Sequence, residues 1–180
     1  MPNHVDNELR VTGSIKDIAK FKAFAKEGDC LLSANKFIPY PKEFDEQDKK
    51  AKEQDEKRNR LIEELKGEKD AYEKALEKFP YIKDGYNSGG YSWCVKEWGT
   101  KWGCYDVKLE IDTNDELFYQ FNSAWSPPEP LIKKMSKMFP YLNFELRYFE
   151  CGMGFNGILE VEGGKVIQYL SGDYFGNRGG

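Results

Sequence analysis

Histidine occurs once in the 180 residues, at His4, and that scarcity removes most nucleophilic chemistry. A Ser-His-Asp or Cys-His centre needs a base within hydrogen-bond reach of its nucleophile, and a single histidine three residues from the chain start, where mobility is expected, does not supply one. Cysteine says little more. Cys30, Cys94, Cys104 and Cys151 are scattered and none forms a CxxC pair, so they read as small hydrophobes in a reducing compartment, with neither a zinc site nor a redox dithiol. EF-hand and HExxH spacings are also missing; no metal and no cofactor are expected. No apolar run approaches the roughly 18–20 residues of a membrane helix, and Met1 to Arg10 lacks the basic-then-apolar order of a leader. The expectation is a cytoplasmic protein with no membrane partner. Positive charge is the last shortage: 27 Lys and Arg against 31 Asp and Glu leave a net −4, which disfavours a phosphate backbone as partner unless a local patch overrides the average.

What remains is enough for one domain with an embellishment. Asn7 to Thr12 alternates as a strand. Ser14 followed by Asp17 resembles a capping box that opens a helix, with the i, i+3 and i+4 spacings of one buried stripe among Ile15, Ile18, Ala19, Phe21, Ala23, Phe24 and Ala25, ended by Glu27-Gly28. Ser33 to Ile38 reads as a short strand stopped by Pro39 and Pro41. Between Asp45 and Arg60 the only apolar residue is Ala51, so residues 42–83 read as a charged helical insertion: a solvated or frayed first half, then a packed stripe of Leu61, Leu65, Tyr72, Leu76 and Phe79 ended by Pro80. Asn87 to Gly90 is a turn. Asp106–Asp112 and Leu117–Trp125 alternate around Thr113-Asn114-Asp115 as a hairpin, a helix follows from about Pro128 to Phe139 with Leu131, Ile132, Met135 and Met138 inward, and Leu142 to Glu150 is again a strand. Gly163-Gly164 joins a last hairpin, 155–161 with 165–170. Without the insertion and the last strands, the path is β-α-β-β-α-β. The expected fold is therefore α+β and ferredoxin-like: an antiparallel sheet with helices on one face. It is discontinuous, 1–41 with 84–170, interrupted by 42–83 and followed by a flexible tail, 171–180.

Two features imitate or invite chemistry. Gly152-Met153-Gly154-Phe155-Asn156-Gly157 spells GxGxxG, but a dinucleotide site needs a helix behind the glycines and Ile158 to Val161 alternates as a strand, so the run reads as a turn. Strand carboxylates such as Glu110, Asp112, Glu145, Glu150, Glu160 and Glu162 read as a solvated face. The second feature is Tyr91 to Tyr105, which holds three of the four tryptophans. Trp93, Trp98, Lys101, Trp102 and Tyr105, with Trp125, form the candidate binding surface, because indoles combine a large apolar body with one donor and lysines lie among the rings. Capping of the open end of the helix layer is the competing role for these rings. An RNA-recognition motif shares the topology, yet neither 106–112 nor 142–150 carries its basic-Gly-aromatic strand.

Five phrases in order resemble the YubB-like family, with a ferredoxin-like domain, of bacteriophages, prophages and conjugative plasmids: Pro2-Asn3-His4-Val5 leading to Asn7 and Gly13; Phe37-Ile38-Pro39-Tyr40-Pro41; Trp98-Gly99-Thr100-Lys101-Trp102 with Tyr105-Asp106; Ala124-Trp125-Ser126-Pro127-Pro128; and Phe149 to Gly157. Cys151 departs from the small or Pro residue expected there. The resemblance implies the fold and a mobile-element origin, in a bacterial host's cytoplasm, and brings no catalytic residues. The expected function is thus a non-enzymatic binding protein that modulates a host protein. A single-stranded nucleic-acid binder and a carboxylate- or metal-dependent hydrolase are the alternatives.

Overall fold

The computed structural model describes residues 3–173, which divide into two compact units, residues 3–39 with 92–173 and Tyr40–Tyr91.

The first unit begins with β1 (His4–Thr12), three residues longer than the alternation from Asn7 suggests, and α1 (Ile15–Ala25). Ser14 caps α1: its hydroxyl accepts from the Asp17 N–H at 3.2 Å and donates to the Asp17 carboxylate at 2.7 Å, satisfying one of the orphan donors of the first turn. Ile18, Phe21 and Ala25 are its buried stripe, while Ile15 is exposed. The expected strand at 33–38 is instead one helical turn, α2 (Ala34–Phe37). The segment is too short to separate a period of two from one of three, and Ala34 and Phe37, three apart, are both buried. Phe37 packs on Phe21 and Phe24 with centroids 5.7 and 5.2 Å apart, a contact that a strand would not deliver.

The second unit contains α3 (Lys42–Glu64) and α4 (Ala71–Lys78). Helix α3 is continuous over 23 residues, not frayed, and its inward stripe is built from residues that hydropathy counts as surface. Asp48 accepts from the Tyr86 N–H at 2.8 Å and from the Tyr40 hydroxyl at 3.2 Å. Arg58, 4% exposed, donates to the Phe79 carbonyl at 3.2 Å, pairs with Asp55, and lays its guanidinium 3.7 Å from the Tyr81 ring. Buried charge of this kind survives because it is paired and hydrogen-bonded. Gly67, at φ 106°, separates the two helices. Ala71 and Ala75, not Tyr72 and Leu76, are the buried positions of α4. Residues Tyr86–Gly90 form a π turn with Gly89 at φ 150°, where the sequence suggested a flexible turn.

Back in the first unit, α5 (Tyr91–Glu97) leads to β2 (Tyr105–Asp112), β3 (Glu116–Ala124), α6 (Glu129–Met138), β4 (Asn143–Glu150), β5 (Phe155–Glu162) and β6 (Lys165–Asp173). The strands form one sheet in the order β2-β3-β1-β4-β5-β6, every neighbouring pair antiparallel. β1, α1, β2, β3, α6 and β4 trace the ferredoxin-like β-α-β-β-α-β path, so the strand after α1 is β2, reached past the second unit, and not 33–38; β5 and β6 widen the sheet beyond β4. One face is apolar: Leu9, Val11, Leu117, Tyr119, Phe144, Leu146, Leu159 and Val161 are all buried. From α6 come Leu131, Ile132 and Met135, with Ser136 buried in place of the expected Met138, which is exposed. Gly163 and Gly164, at φ 55° and 75°, make the expected two-residue turn, a conformation in which both central residues need positive φ. Ser171–Asp173 continue β6 rather than starting the tail; the rest of the tail, 174–180, lies outside the described residues, as does Pro2 of the first family phrase.

Candidate functional site

The aromatic residues singled out in the sequence gather where α5 ends, β3 ends and β1 begins. Helix α5 stops at Gly99, which sits at φ 82° with the place of a Cβ only 2.3 Å from Pro130 Cδ; both the backbone angle and the space exclude a side chain. The following loop is tied to the end of β3. Thr100, fully buried, donates its hydroxyl to the Ala124 carbonyl at 2.8 Å and accepts from the Ala124 N–H at 3.0 Å, and the Lys101 N–H reaches the same carbonyl at 3.3 Å. Ser126 donates to the Gly99 carbonyl at 2.6 Å, Ser123 to the Ser126 carbonyl at 2.8 Å, and Asn7 Nδ2 to Ser123 Oγ at 2.9 Å. Thr100→Val keeps the shape but strands the Ala124 N–H, and a buried unsatisfied donor costs about 1–3 kcal/mol. The expected result is an unfolding free energy in urea lowered by that amount, with the midpoint lowered accordingly, together with faster acrylamide quenching of tryptophan; an unchanged midpoint would show that the loop is held by its other bonds.

The rings sort into two groups. Trp98 is 8% exposed and its indole N–H donates to the Ile38 carbonyl at 2.8 Å, so it belongs to the core. Trp93, half-buried, stands edge-on to it at 5.2 Å. The other group, half-buried at Lys101, Trp102 and Tyr105 and exposed at Trp125, lies beyond the Gly99 turn. Tyr105, at the start of β2, has its hydroxyl 2.6 Å from His4 Nδ1, with the two rings edge-to-face at 5.8 Å. Trp102 lies 6.3 Å from Tyr105, and the Lys101 ammonium sits 4.8 Å from the Trp102 ring centroid, within cation–π range. Partial burial, then the neighbouring Asp106 and Asp6 carboxylates, push the Tyr105 phenol above its ordinary value, which keeps it a neutral hydrogen-bonding group. Trp125 is 43% exposed and held at φ 72°, its N–H donating to the Asn3 carbonyl at 3.0 Å. Asp106, at φ 52°, is the other non-glycine residue with positive φ among the described residues, and it bonds Asn122 Nδ2 at 3.2 Å. Left-handed backbone at a bulky residue persists only where surrounding structure imposes it, and such positions cluster at functional sites. His4 was absent from the residues expected here; the signal was the alternation of β1, which runs back through Val5 to His4.

The sheet face turned away from the helices carries Asp6, Glu8, Asp106, Glu116, Glu145 and Glu160 against Arg10, Lys108 and Arg147, with Arg10 paired to Glu116 and Arg147 to Glu145 at 2.7 Å. It is acidic. No group of three or more His, Cys, Asp or Glu is placed to hold a metal among the described residues. The GxGxxG run is the β4–β5 turn: Glu150, buried, accepts from the Gly152 N–H at 2.8 Å and from the Met153 N–H, and its carbonyl accepts from Gly154 at 3.1 Å. Those amides point at their own strand and not at a pyrophosphate. No helix among the described residues is long and apolar enough to cross a membrane.

No curated protein matches the sequence. Among solved structures, the chain is similar to the crystal structure of a protein api92 from Yersinia pseudotuberculosis, with 13% identity over 98% of this chain and 99% of that one and a TM-score of 0.51. At that identity the likeness is one of fold. Residues 98–177 match the family model described as the ferredoxin-like domain in Api92-like protein. The fold is thus ferredoxin-like, and the part of the chain running from Trp98 past β6 is similar to the ferredoxin-like domain of Api92-like proteins.

Proposed function

We propose that the chain is a non-enzymatic binding protein of a bacteriophage or plasmid, and that it docks on a host protein through the ridge formed by Lys101, Trp102, Tyr105 and Trp125. The observation that carries this reading is Trp125, a large apolar side chain left exposed on a backbone fixed at positive φ. Trp and Tyr side chains on a rigid support are among the residues that dominate binding energy at protein interfaces. The resemblance of the sequence to YubB-like proteins supports the mobile-element origin. Single-stranded nucleic acid fits less well, because the open sheet face that an RNA-recognition motif uses is acidic here and would repel phosphates.

The test compares affinity capture from bacterial lysate by the wild-type chain and by the Trp102→Ala/Trp125→Ala variant, with circular dichroism establishing that the variant is folded. A host protein retained by the wild type and lost about tenfold or more by the variant is expected, since truncated hot spots cost about 2 kcal/mol or more. Identical capture by the two proteins refutes the ridge as the docking site.

A further inference from the structure

The two edges of the sheet are built differently. Edge strand β2 presents Asp106, Lys108, Glu110 and Asp112 to solvent and is broken by two register shifts, the usual protection of an edge against pairing. Edge strand β6 has neither defence in force over most of its length. No charged residue lies between Lys165 and Asp173, Val166, Ile167, Tyr169 and Leu170 are each about half exposed or more, and its single irregularity falls at Ile167, leaving 168–173 in regular register with 160–155. A regular, uncharged edge exposes a row of backbone donors and acceptors to any added strand.

The charge beside that edge specifies the chemistry of the added strand. Tyr169 stands opposite Leu159, on the helix side of the sheet, and the Lys133 ammonium of α6 lies 6.0 Å from its ring centroid. Lys137, one turn on, rests against the β5–β6 turn, where its side chain occupies the space beside Gly164, whose N–H is fixed by Ser136 Oγ at 2.9 Å. Leu170, opposite Ile158, is on the other side. Lys133 also pairs with Glu129 at 3.5 Å, so Lys137 and the half-shared Lys133 supply the positive charge on the helix side of the edge, while on the open side Leu170 is the apolar position next to Gln168. We infer that β6 accepts an extended segment of a partner protein in which carboxylates alternate with apolar residues, the carboxylates turned toward Lys133 and Lys137 and the apolar residues continuing the row of Ile158 and Leu170. Residues 174–180 carry Arg178 and no acidic side chain, so they lack the matching charge.

The probes are two fluorescein-labelled octapeptides, one alternating Glu with Val and one alternating Lys with Val, and a copy of the first with alternate backbone nitrogens methylated. Fluorescence anisotropy at low salt reads binding to the full chain. The acidic peptide is expected to bind and the basic one not to. Methylation is expected to abolish binding, because it removes the donors of the ladder while keeping the charge. Lys133→Glu/Lys137→Glu is expected to weaken the acidic peptide by about tenfold or more and to admit the basic one, as reversal of complementary charge does at interfaces. Circular dichroism establishes that the variant is folded before its peptide binding is compared, because an unfolded acidic chain would attract a basic peptide at low salt. Equal binding of the methylated peptide, indifference to charge reversal, or no binding of the acidic peptide overturns the inference. So does sedimentation as a dimer whose concentration dependence is unaffected by the acidic peptide, which would assign the edge to a second copy.

Discussion

Replacing Phe21 by alanine is expected to lower stability by about 3–5 kcal/mol, a large share of the roughly 5–15 kcal/mol that holds a domain folded. Phe21 is fully buried and is the ring on which the helices and the sheet converge. Phe37 of α2 lies 5.7 Å away, Phe139 just past α6 at 5.2 Å, Phe144 of β4 at 5.5 Å and Tyr119 of β3 at 6.4 Å. Three of these pairs are edge-to-face, and such pairs add to the area term. The rings come from elements spread between residues 21 and 144, so the cavity cannot close without moving both helices and the sheet. Phe24, one turn on, is the control. It is only half-buried, with ring contacts to Phe37 and Phe139 and the Lys36 ammonium over its face. Phe24→Ala should therefore cost clearly less than Phe21→Ala in urea titrations of the two variants. Equal costs would mean that the core is centred elsewhere than on Phe21.

The sequence showed Phe21 as core because α1 is long enough for its stripe to repeat, and the same reasoning succeeded for β3, β4, β5 and the helix-facing half of α6. It failed where the element was short or the buried groups were polar. Four residues of α2 cannot display a helical period, and two prolines downstream mimicked the end of a strand. In α3 the inward positions are Asp48, Ala51 and Arg58, whose burial depends on hydrogen-bond partners 21–38 residues away; hydropathy cannot anticipate partners. The tryptophan segment was legible as a cluster but not as two groups. What separates Trp98 from Trp102 is the left-handed turn at Gly99 and the tie of Thr100 to Ala124, and the second of these is a contact across 24 residues. The full length of β6 is not legible for the opposite reason: the strand is exposed along its whole length, so its last three residues offer no alternation to follow.

The polar interior of residues 40–91 leads to the second large effect. Gly85→Ala would place its Cβ 2.0 Å from the Phe44 carbonyl oxygen and 2.5 Å from the Phe44 carbonyl carbon and Cα. These are backbone atoms in the first turn of α3 and cannot rotate away as a side chain would. Overpacking against movable side chains costs about 1–3 kcal/mol; an obstacle made of helix backbone should reach or exceed the upper end, with α3 forced away from the π turn and the bond from the Tyr86 N–H to Asp48 lost with it. All four tryptophans, at 93, 98, 102 and 125, lie outside this segment, which separates the two readouts. Far-ultraviolet circular dichroism should show loss of helix at a lower temperature than in the wild type, while tryptophan fluorescence keeps its wild-type transition. If both signals fall together, the two compact units share one cooperative transition and the segment is an integral part of the ferredoxin-like domain. If neither moves, the approach of Gly85 to α3 relaxes at little cost. The expected outcome, two separated transitions, follows from where the contacts lie: the bonds that order α3 and α4, from Asp48, Gln54 and Arg58, end on Tyr40, Tyr86, Pro80, Phe79 and Asp55, all within the same segment.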